Sequence, residues 1–564
     1  MAADETHRKS KLTAILVVVL ICCSLILFTV IYNIYTPHHR KFPVYSNAAV
    51  IHGACKAARN QSACEASLKS EWRAAGSAPA TALQAINASL QVSTRHLHEA
   101  IATVEKILDG SADNVNRSDT SKLCLEVLRH SDRRAAMSAE ALPRGAGGVR
   151  DTRAWMSASL AYQYGCMSGL KNVNDTPLVA EAVAFFNTTL IGSTADVLAM
   201  MASYDYFGEE TNKWGPPKTE RDGFWPIRPA ASSEEEEVVG GVPSGMAVNV
   251  TVCGGSGGCD YEMVQEAVDA GPENSSGRFV IWIKVGVYKE TVRVGFEKKN
   301  VVFLGDGIGK TVITGALNVG MPRVSTYNSA TVGVLGDGFM ASNLTIENTA
   351  GVDAHQAVAF RSDSDLSVLE NCELLGNQDT LYAHSLRQYY KSCRIQGNID
   401  FIFGQSAAVF QDCLILIVPH QKEPEKGDNN AATAHGRIDP AQSTGFVFRG
   451  CVVNGTEEYM ALYAANPAVH RTYLGRPWKE YARTVFLGCT LESLVSVDGW
   501  MPWSGDFALK TLYYGEFENK GPGSDTSKRV NWSSVVPAEH VDSYSVQNFI
   551  QGDQWIPKTL SSSL

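Results

Sequence analysis

The chain of 564 residues carries a formal net charge of −10 and has a sequence pI near 5.8. This acidic balance argues against a nucleic-acid-binding protein, which usually shows a basic surplus or stripe. The composition, with 45% hydrophobic and 19% charged residues, is that of a folded protein, and the length predicts two or more domains.

Near the N-terminus, residues 12–35 form an apolar run of 24 residues without a charge, preceded by three basic residues. About 20 apolar residues span a bilayer, and the basic flank favours a cytoplasmic N-terminus. We therefore predict a cytoplasmic tail at residues 1–11 and a transmembrane signal anchor at 12–35, with a cleaved signal peptide as the alternative. Either way the chain enters the secretory pathway, and its ten N-x-S/T sequons are compatible with that route.

Residues 48–205 are predicted to form a helical domain. Between residues 81 and 108, apolar side chains recur at intervals of three, four and seven, as in an amphipathic helix. Several such segments joined by short polar loops predict an antiparallel bundle. Four cysteines of this domain, an even number in an oxidising compartment, suggest two disulfide bridges whose connectivity the sequence leaves open. They are Cys55, Cys64, Cys124 and Cys166.

Residues 206–245 are rich in Pro, Gly, Ser and acidic side chains, which predicts a linker. The acidic run from Glu234 to Glu237 is typical of a solvated stretch. A second domain is predicted over residues 246–560, and it opens with a glycine-rich turn between Cys253 and Cys259. We expect these two cysteines to form a small local bridge.

A short strand repeats through the second domain, each time in a similar frame around a cysteine. The frames are VLENCEL, YYKSCRI, VFQDCLI, VFRGCVV and VFLGCTL, around Cys372, Cys393, Cys413, Cys451 and Cys489. The first intervals, of 21 and 20 residues, are typical of a parallel β-helix, in which each coil buries its inward side chains by stacking on the next. The two later intervals of 38 residues are too long for one coil, so long loops leave the cylinder there.

Asp379 and Asp400 are also 21 residues apart, which predicts the same position in neighbouring coils. Strands in adjacent coils lie about 4.8 Å apart, so both carboxyl groups can serve one reacting centre. Their proximity raises one pKa, which prepares one carboxyl as a proton donor and the other as an anionic nucleophile or base. Gln378 is adjacent to Asp379, and Gln356 lies about one coil before Asp379. The side-chain amides of both glutamines can therefore face an oxyanion. The alternative for Asp400 is a buried aspartate that only holds a turn.

Six segments in order resemble the motif set of plant pectin methylesterases. They are GVYKE (286–290), STYNSAT (325–331), QAVAF (356–360), NQDTLY (377–382), DFIFG (400–404) and LGRPW (474–478). The helical segment separately resembles the pectin methylesterase inhibitor domain that precedes many of these enzymes. The resemblance implies an all-α bundle followed by a right-handed parallel β-helix. It also implies a carboxylic ester hydrolase that removes methyl esters from pectin in the cell wall, releasing methanol and pectate.

By this resemblance, Asp400 is the nucleophile and Asp379 the proton donor that later takes a proton from water. Gln378 and Gln356 then stabilise the oxyanion, and Arg476, with its planar fork, orients Asp400 and keeps it ionised. No cofactor is expected, and no paired Cys or His motif of zinc spacing suggests a metal.

The resemblance also suggests substrate contacts by Thr326, Gln356, Arg476 and Trp478. Further candidates for the groove are Tyr382, Phe401 and Trp503, with packing in the core or at the rim as the alternative for each. The implied disulfides are Cys55–Cys64, Cys124–Cys166 and Cys393–Cys413, with Cys372 as a stacked competitor of the last pair.

One departure from the family concerns the linker, where many members carry a basic processing site of the arginine-arginine-leucine-leucine kind and this sequence has none. An uncleaved helical domain is expected to inhibit the site from within, or an esterase in trans. Two alternatives stay open. One is a β-helix hydrolase or lyase that cleaves pectin, and the other is a non-catalytic inhibitor that only binds the wall polysaccharide.

Overall fold

The computed structural model describes residues 47–75, 81–224, 240–255, 257–420 and 428–558. The predicted tail and signal anchor, and the acidic run of the linker, lie outside the described residues. Within them, the stretch Pro177–Phe207 is long and apolar enough to cross a membrane. Its Leu198, Met200 and Met201 are completely buried among the other helices, so it is a core element of the bundle.

The described part of the N-terminal domain is helical, as predicted. Its α-helices are α1 (Asn47–Cys55), α2 (Gln61–Ala75), α3 (Ala82–Asp109), α4 (Val115–Ala141), α5 (Ala146–Asn172), α6 (Pro177–Phe185) and α7 (Ile191–Phe207). Helix α3 is the predicted amphipathic helix, and it begins with a capping box in which Thr81 and Gln84 bond each other's backbone N–H. A π-helical turn, Phe186–Leu190, joins α6 to α7.

Two disulfides fasten these helices. Cys55–Cys64 links α1 to α2, and Cys124–Cys166 links α4 to α5, the two pairings that the resemblance implies. The packed core between them includes Leu97, Val104 and Leu170.

The second domain is built from short strands. They are β1 (Val250–Val252), β2 (Phe279–Ile283), β3 (Gly286–Lys289), β4 (Val292–Val294), β5 (Val301–Gly305), β6 (Thr311–Gly315), β7 (Val332–Val334), β8 (Met340–Ser342), β9 (Thr345–Asn348), β10 (Phe360–Ser362), β11 (Ser367–Glu370), β12 (Glu373–Leu375), β13 (Leu381–Ala383), β14 (Arg387–Lys391), β15 (Arg394–Gly397), β16 (Ile399–Gly404), β17 (Ala407–Gln411), β18 (Leu414–Ile417), β19 (Asp428–His435), β20 (Gly445–Arg449), β21 (Val452–Gly455), β22 (His470–Gly475), β23 (Arg483–Leu487), β24 (Thr490–Leu491), β25 (Tyr513–Phe517) and β26 (Ser534–Val535). Three helices accompany them: α8 (Val264–Ala270), α9 (Glu457–Ala465) and α10 (Val546–Ile550).

These strands form three parallel sheets, and this confirms the predicted right-handed β-helix. The 11-stranded sheet has the order β1-β2-β5-β8-β11-β14-β17-β20-β23-β25-β26. The 8-stranded sheet runs β24-β21-β18-β15-β12-β9-β6-β3, and the 7-stranded sheet runs β22-β19-β16-β13-β10-β7-β4. Successive coils therefore place one strand in each sheet, so residues about 21 positions apart stack on each other.

The repeating frame has a backbone cause. Each of the five cysteines of the repeating frame follows a residue with a positive φ, in the left-handed region that Asn, Asp and Gly enter most easily. These residues are Asn371, Ser392, Asp412, Gly450 and Gly488, with φ between 49° and 61°. The turn ends a strand of the 11-stranded sheet, begins one of the 8-stranded sheet and directs the following cysteine into the core.

The predicted bridge between Cys393 and Cys413 is absent, because both residues are buried free thiols. The Cys393 thiol lies 3.4 Å from the carbonyls of Leu369 and Lys391, and Cys413 is placed the same way one coil later. Each thiol donates towards the backbone of its own coil and of the coil before. The sulfurs therefore stack side by side, and Cys372 continues the same row. Cys253 and Cys259 do form the expected local bridge.

Aromatic rings fill the interior beside this row. Tyr390, Phe410, Phe448 and Phe486 stack face to face in consecutive coils, with centroid distances of 4.8, 4.5 and 4.4 Å. Stacked aromatic pairs contribute about 0.5–1.5 kcal/mol each beyond their burial. This column holds the coils in register and thereby fixes the relative positions of the side chains on the outer face.

Candidate active site

The two predicted acids lie together on the outer face of the 7-stranded sheet. Strands β13 and β16 pair in parallel with Leu381 opposite Ile402, and this register brings Asp379 and Asp400 to the same position in neighbouring coils. The Asp379 N–H donates to the Ile399 carbonyl at 3.2 Å. The two aspartates are 6% and 5% exposed, so both carboxyl groups are nearly withdrawn from water.

Both aspartates have a left-handed backbone. The φ angle is 65° at Asp379 and 52° at Asp400. Short polar side chains tolerate this region better than bulky ones, and strained non-glycine residues cluster at functional sites. The corner conformation turns both carboxyl groups out of the packed core.

Arg476 binds Asp400 through a two-point fork. Its Nε donates to Asp400 Oδ1 at 2.8 Å, and its Nη2 donates to Oδ2 at 2.7 Å. Arg476 follows β22, two coils beyond β16, and its backbone N–H donates to the Thr433 carbonyl at 3.0 Å. Such bidentate charge-assisted pairs are strong and fix orientation. The Asp400 carboxylate is therefore held in one plane.

The two carboxyl groups differ in their electrostatic surroundings. Burial raises the pKa of Asp400, but the hydrogen bonds and charge of Arg476 oppose this rise. Burial, together with the negative charge of Asp400, raises the pKa of Asp379 well above its usual value. The pKa of Asp379 is therefore raised with the help of a neighbouring negative charge, whereas that of Asp400 is restrained by a neighbouring positive charge.

The two predicted amides lie in adjacent coils beside Asp379. The Ala357 N–H donates to the Gln378 carbonyl at 3.2 Å, and the Val319 N–H donates to the Gln356 carbonyl at 3.1 Å. The side chains of Gln378 and Gln356 are half-buried. These hydrogen bonds hold the backbones of both glutamines in place next to the two aspartates.

Trp503 contacts the fork of Arg476, and Trp478 follows Arg476 by two residues. The guanidinium carbon of Arg476 lies 4.4 Å from the centre of the Trp503 ring, which is 36% exposed. Trp478 is half-buried, and a Cβ added to Gly436 would lie only 2.7 Å from one of its ring carbons, so the glycine makes room for this ring. The edge of Phe403 meets Trp478 at a centroid distance of 5.9 Å.

The other groove candidates separate into two groups. Tyr382 stacks on Phe403 on the outer face, with ring centroids 4.1 Å apart. Thr326 is half-buried at a turn, where its carbonyl accepts a hydrogen bond from the Ser329 hydroxyl at 2.8 Å. Phe401 is completely buried in the interior of the β-helix, so it is a core residue and not part of the groove.

Comparisons with known proteins agree with this geometry. A family model described as "Pectinesterase" matches residues 249–553, more than half of the chain. The chain belongs to the pectinesterase family. A second family model, "Plant invertase/pectin methylesterase inhibitor", matches residues 49–200, which lie in the helical domain.

Named relatives support the same assignment. "Probable pectinesterase/pectinesterase inhibitor 64" of Arabidopsis thaliana is 58% identical over 520 residues, 91% of this chain and 85% of that protein. "Pectinesterase 2" of Citrus sinensis is 40% identical over 412 residues, which are 72% of this chain and 74% of that protein. The solved structure "Pectin methylesterase from Carrot" has 44% identity and a TM-score of 0.52, and the match covers 56% of this chain and 97% of that chain.

In this pectinesterase the helical domain packs on the sheet that carries the acid pair. Helix α5 supplies Tyr162, whose hydroxyl lies 3.3 Å from Asp363 Oδ1 and 3.1 Å from the Ser385 hydroxyl. The same helix supplies Trp155, whose Nε1 donates to Asp365 Oδ2 at 2.8 Å. Sequence patterns alone gave no sign of these contacts, because the partners are more than 200 positions apart.

Charged groups reinforce this contact. Arg134 of α4 is 1% exposed and donates to both carboxylate oxygens of Asp337, at 2.6 and 2.7 Å. At the rim, Arg323 forms a similar fork with Asp119 of α4, at 2.6 and 2.9 Å. The acids and arginines that meet here come from both domains, so the two surfaces are complementary in charge.

The apolar part of the contact reaches the groove itself. Cys166, Met167 and Leu170 of α5 belong to one buried cluster with groove residues of the β-helix. Those groove residues are Tyr327, Val358, Tyr382, Leu386 and Phe403, with Trp478 packed against them. The helical domain therefore covers the aromatic side of the groove.

One neighbour of the acid pair was missed from the sequence. Tyr514 of β25 stacks on Trp500 in the interior, with ring centroids 4.2 Å apart. Burial raises the pKa of its phenol well above the usual value, and the negative charge of Asp400 raises it further. The sequence YYGEF has the pattern of an ordinary strand with inward-facing side chains. The position of the Tyr514 ring behind the Asp400–Arg476 pair follows only from the stacking of the coils.

Proposed function

We propose that the β-helix domain removes methyl esters from the galacturonate units of pectin by way of an aspartyl nucleophile. The observation that carries the proposal is the unequal acid pair: Asp400 accepts the two-point fork of Arg476, and Asp379 is buried beside it. This combination provides a nucleophile and a proton donor at one centre. The family match and the names of the relatives support the esterase chemistry.

In the first half of the reaction, Asp400 attacks the ester carbonyl carbon and forms a tetrahedral oxyanion. The bond to the methoxy oxygen then breaks, and Asp379 gives that oxygen its proton, so methanol leaves. The galacturonate carbonyl stays joined to Asp400 as an acid anhydride. In the second half, Asp379 takes a proton from water, the hydroxide adds to the galacturonate carbonyl, and Asp400 leaves as a carboxylate.

The surrounding residues take supporting roles in this proposal. The amides of Gln378 and Gln356 stabilise the oxyanion, and loss of one such donor typically costs about 10²–10³ in rate. Trp478 offers an aromatic face to a sugar ring, while Thr326 and Arg476 contact the substrate. Trp503 packs on the outer side of Arg476 and limits its movement.

We further propose that the helical domain inhibits this site from within the same chain. It buries Tyr382 and Phe403 and packs against Trp478, which are the surfaces on which a sugar chain would rest. The match of residues 49–200 to the inhibitor family supports this role. An extended polysaccharide and the helical domain cannot occupy that face at the same time.

We also propose that residues 12–35 act as a signal anchor that delivers the protein to the cell wall. The support is the uncharged apolar run with its basic flank. Extraction of plant membranes with alkaline carbonate tests the anchor, because an anchored protein stays in the pellet and one with a cleaved signal peptide is released.

The products of the isolated β-helix domain test the esterase. Residues 240–564 form a suitable fragment, since the carrot structure contains little beyond the equivalent region. With highly methylated pectin we expect methanol without new reducing ends or unsaturated chain ends. New chain ends would instead indicate a hydrolase or a lyase, and a folded fragment that releases no methanol would favour the non-catalytic protein.

The same assay tests inhibition. Residues 47–564, at equal concentration, should release methanol at least tenfold more slowly than residues 240–564. Equal rates from the two proteins would contradict inhibition by the helical domain and leave the esterase proposal intact.

A further inference from the structure

A short segment after the helical domain is bound to the β-helix. We call residues 219–224, TERDGF, the strap. Asp222 folds it into a single 3-10 turn by accepting hydrogen bonds from the Thr219 backbone N–H at 3.1 Å and from its hydroxyl at 2.8 Å. The strap lies within the stretch whose composition predicts a linker, yet it is anchored on both sides.

The strap belongs covalently to the helical domain. Five residues before it, Trp214 is 4% exposed and packs in the core of the helices. The Trp214 indole N–H donates to the Gly208 carbonyl at 3.1 Å, and the Ser203 hydroxyl donates to the Gly215 carbonyl at 3.2 Å. The chain between this anchor and the strap is only a few residues long, so the two move together.

Glu220 is the central contact of the strap. Its Oε1 accepts a hydrogen bond from Arg483 Nη1 at 2.5 Å, and its Oε2 lies 3.7 Å from Arg437 Nη2. The side chain of Glu220 is 11% exposed and that of Arg437 only 1%. Burial by itself would raise the pKa of Glu220, but the two arginines lower it below the usual value.

The carboxylate of Glu220 supplies the negative charge that Arg437 and Arg483 need. Burial, and to a lesser degree the neighbouring charge of Arg483, lower the pKa of Arg437 to about 10. Among the residues that the structure describes, the buried Nε and Nη2 of Arg437 have no hydrogen-bond partner. Asp439 lies nearby, but it is paired with Arg59 of the helical domain. The site on the β-helix is thus a cationic cradle that the strap fills with a carboxylate.

Two further contacts flank Glu220. Arg221 Nη1 donates to the carbonyls of Leu509 and Trp532, at 3.0 and 2.8 Å. Phe224 stacks on the His540 ring with a centroid distance of 4.0 Å and meets the edge of Tyr513 at 5.7 Å. The strap thereby contacts late segments of the β-helix, around Leu509, Trp532 and His540.

The chain also rejoins the β-helix on the far side of the linker. The Gly241 N–H donates to the Pro557 carbonyl at 3.0 Å, and the Val242 N–H donates to Glu370 Oε2 at 2.7 Å. Lys391 Nζ donates to the Gly240 carbonyl at 3.0 Å. Both ends of the interval 225–239 are therefore fixed on the β-helix domain, and a cut within it leaves the strap in its cradle.

We propose that the strap is a second docking element of the inhibitor-like domain, seated by Glu220 in the Arg437–Arg483 cradle. It holds that domain on the β-helix after the chain is cut between residues 224 and 240. Scission there does not by itself open the active site, and release of the strap is a separate step. This inference rests on the proposed inhibition by the helical domain.

The experiment uses the full chain with the recognition sequence of a specific protease in place of residues 229–235. The native strap is compared with Glu220→Gln, which keeps the shape and removes the charge, and with Glu140→Gln, which changes an exposed acid on α4. After cutting, gel filtration over a dilution series measures the dissociation constant of the two fragments, and methanol release from pectin measures activity.

We expect the native and Glu140→Gln fragments to stay together and stay inactive after cutting. Glu220→Gln should raise the dissociation constant by about 30-fold or more, as expected when one partner of a buried hydrogen-bonded charge pair is lost. A double variant, Arg221→Ala with Phe224→Ala, should weaken association without touching Glu220. Circular dichroism of the helical fragment checks that each variant is folded.

Two results would contradict the proposed docking role of the strap. One is a native complex that separates as soon as it is cut, and the other is a Glu220→Gln complex as tight as the native one. A complex that stays associated but releases methanol at the rate of the free β-helix domain would contradict the proposed inhibition while leaving the strap in place.

Discussion

At the scale of residues, the site depends on the contrast between two carboxyl groups of the same kind. Asp379 and Asp400 occupy equivalent corners of neighbouring coils and are almost equally buried. Only Asp400 receives the fork of Arg476. We expect the arginine to keep the charge on Asp400 and to leave the proton on Asp379.

Replacing Arg476 with Lys tests this division of roles. A single ammonium cannot reproduce the planar fork, so burial should raise the pKa of Asp400 further. Since Asp400 must be ionised to attack, the acidic limb of kcat/KM against pH should move to higher pH, and kcat should fall about 10²-fold. Steady-state methanol release from pectin between pH 4 and pH 9 measures both effects.

Arg394→Lys is the matched control, because Arg394 is exposed on the 8-stranded sheet, away from the acid pair, and forms an ion pair with Glu373 at 3.5 Å. Its pH profile should equal that of the native domain. An unchanged acidic limb in Arg476→Lys would contradict the role given to the fork.

Asp379→Asn tests the other carboxyl through stability. The pKa of Asp379 is raised in the folded state, so its contribution to stability is complete below the pKa of the unfolded chain and is lost as pH rises towards the folded value. Asparagine cannot ionise and tolerates the same left-handed backbone. The variant should therefore melt about 2 °C or more above the native β-helix domain at pH 7.

The same comparison at low pH provides the control for Asp379→Asn. At pH 3.5 and below, where Asp379 is protonated in the folded state and largely protonated in the unfolded chain, the two melting temperatures should approach each other. A variant that melts below the native domain at pH 7 would indicate that Asp379 is ionised and stabilising in the folded state.

At the scale of elements, the turn before each repeated cysteine explains both the recurring sequence frame and the incorrect prediction of a Cys393–Cys413 disulfide. Asn371, Ser392 and Asp412 take the left-handed turn that directs each following cysteine inwards, so the sequence frame around each cysteine reports a corner. The same frame suggests bridge formation, because stacked Cα positions one coil apart satisfy the spacing of a disulfide. Free thiols in stacked coils have the same Cα spacing, so this spacing alone cannot distinguish a disulfide from two free thiols.

Counting thiols in the denatured β-helix domain resolves this difference. Residues 240–564 contain Cys253 and Cys259 plus the five cysteines of the row. The structure predicts five reactive thiols under denaturing, non-reducing conditions. A double Cys393→Ala, Cys413→Ala variant should lower the number to three, whereas three thiols in the native domain would indicate one bridge within the row.

The β-helix and the positions of its acids were predictable because both follow from a local repeat. Twenty-one residues separate Asp379 from Asp400, and the cysteine frames have nearly the same period. The partnership of Asp400 with Arg476 follows only from family resemblance, since 76 positions and a long loop separate them. The sequence left open whether Phe401 lies in the groove or in the core, because the irregular register between Ile399 and Ile402 breaks the simple alternation of sides along β16.

At the scale of the whole molecule, two domains of one chain share a face that contains the catalytic candidates. Nothing in the periodicity of α4 or α5 distinguishes the side that contacts the β-helix from the side that packs in the bundle. Arg134 is a clear case, since a charged residue at a buried helix position finds its partner, Asp337, only in the other domain.

The pair between Arg134 and Asp337 should therefore control inhibition. Arg134→Ala leaves Asp337 without its buried partner, a change that typically costs about 2–5 kcal/mol of association. Methanol release by residues 47–564 should rise at least tenfold towards the rate of the free β-helix domain. Asp337→Asn should have the same effect without altering the helical domain.

Arg129→Ala is the control on the same helix, because Arg129 is exposed and lies 3.6 Å from Glu105 within the bundle. It should leave the rate unchanged. If Arg134→Ala and Asp337→Asn also leave it unchanged while remaining folded, the covering contact does not limit activity.

The most direct test of the central claim is the rate of methanol release by residues 240–564 carrying Asp400→Asn. Asparagine preserves size and tolerates the left-handed backbone but removes the nucleophile, so the rate should fall by about 10³-fold or more while the melting curve stays cooperative. A folded Asp400→Asn domain within tenfold of the native rate would contradict the assignment of Asp400 as the nucleophile.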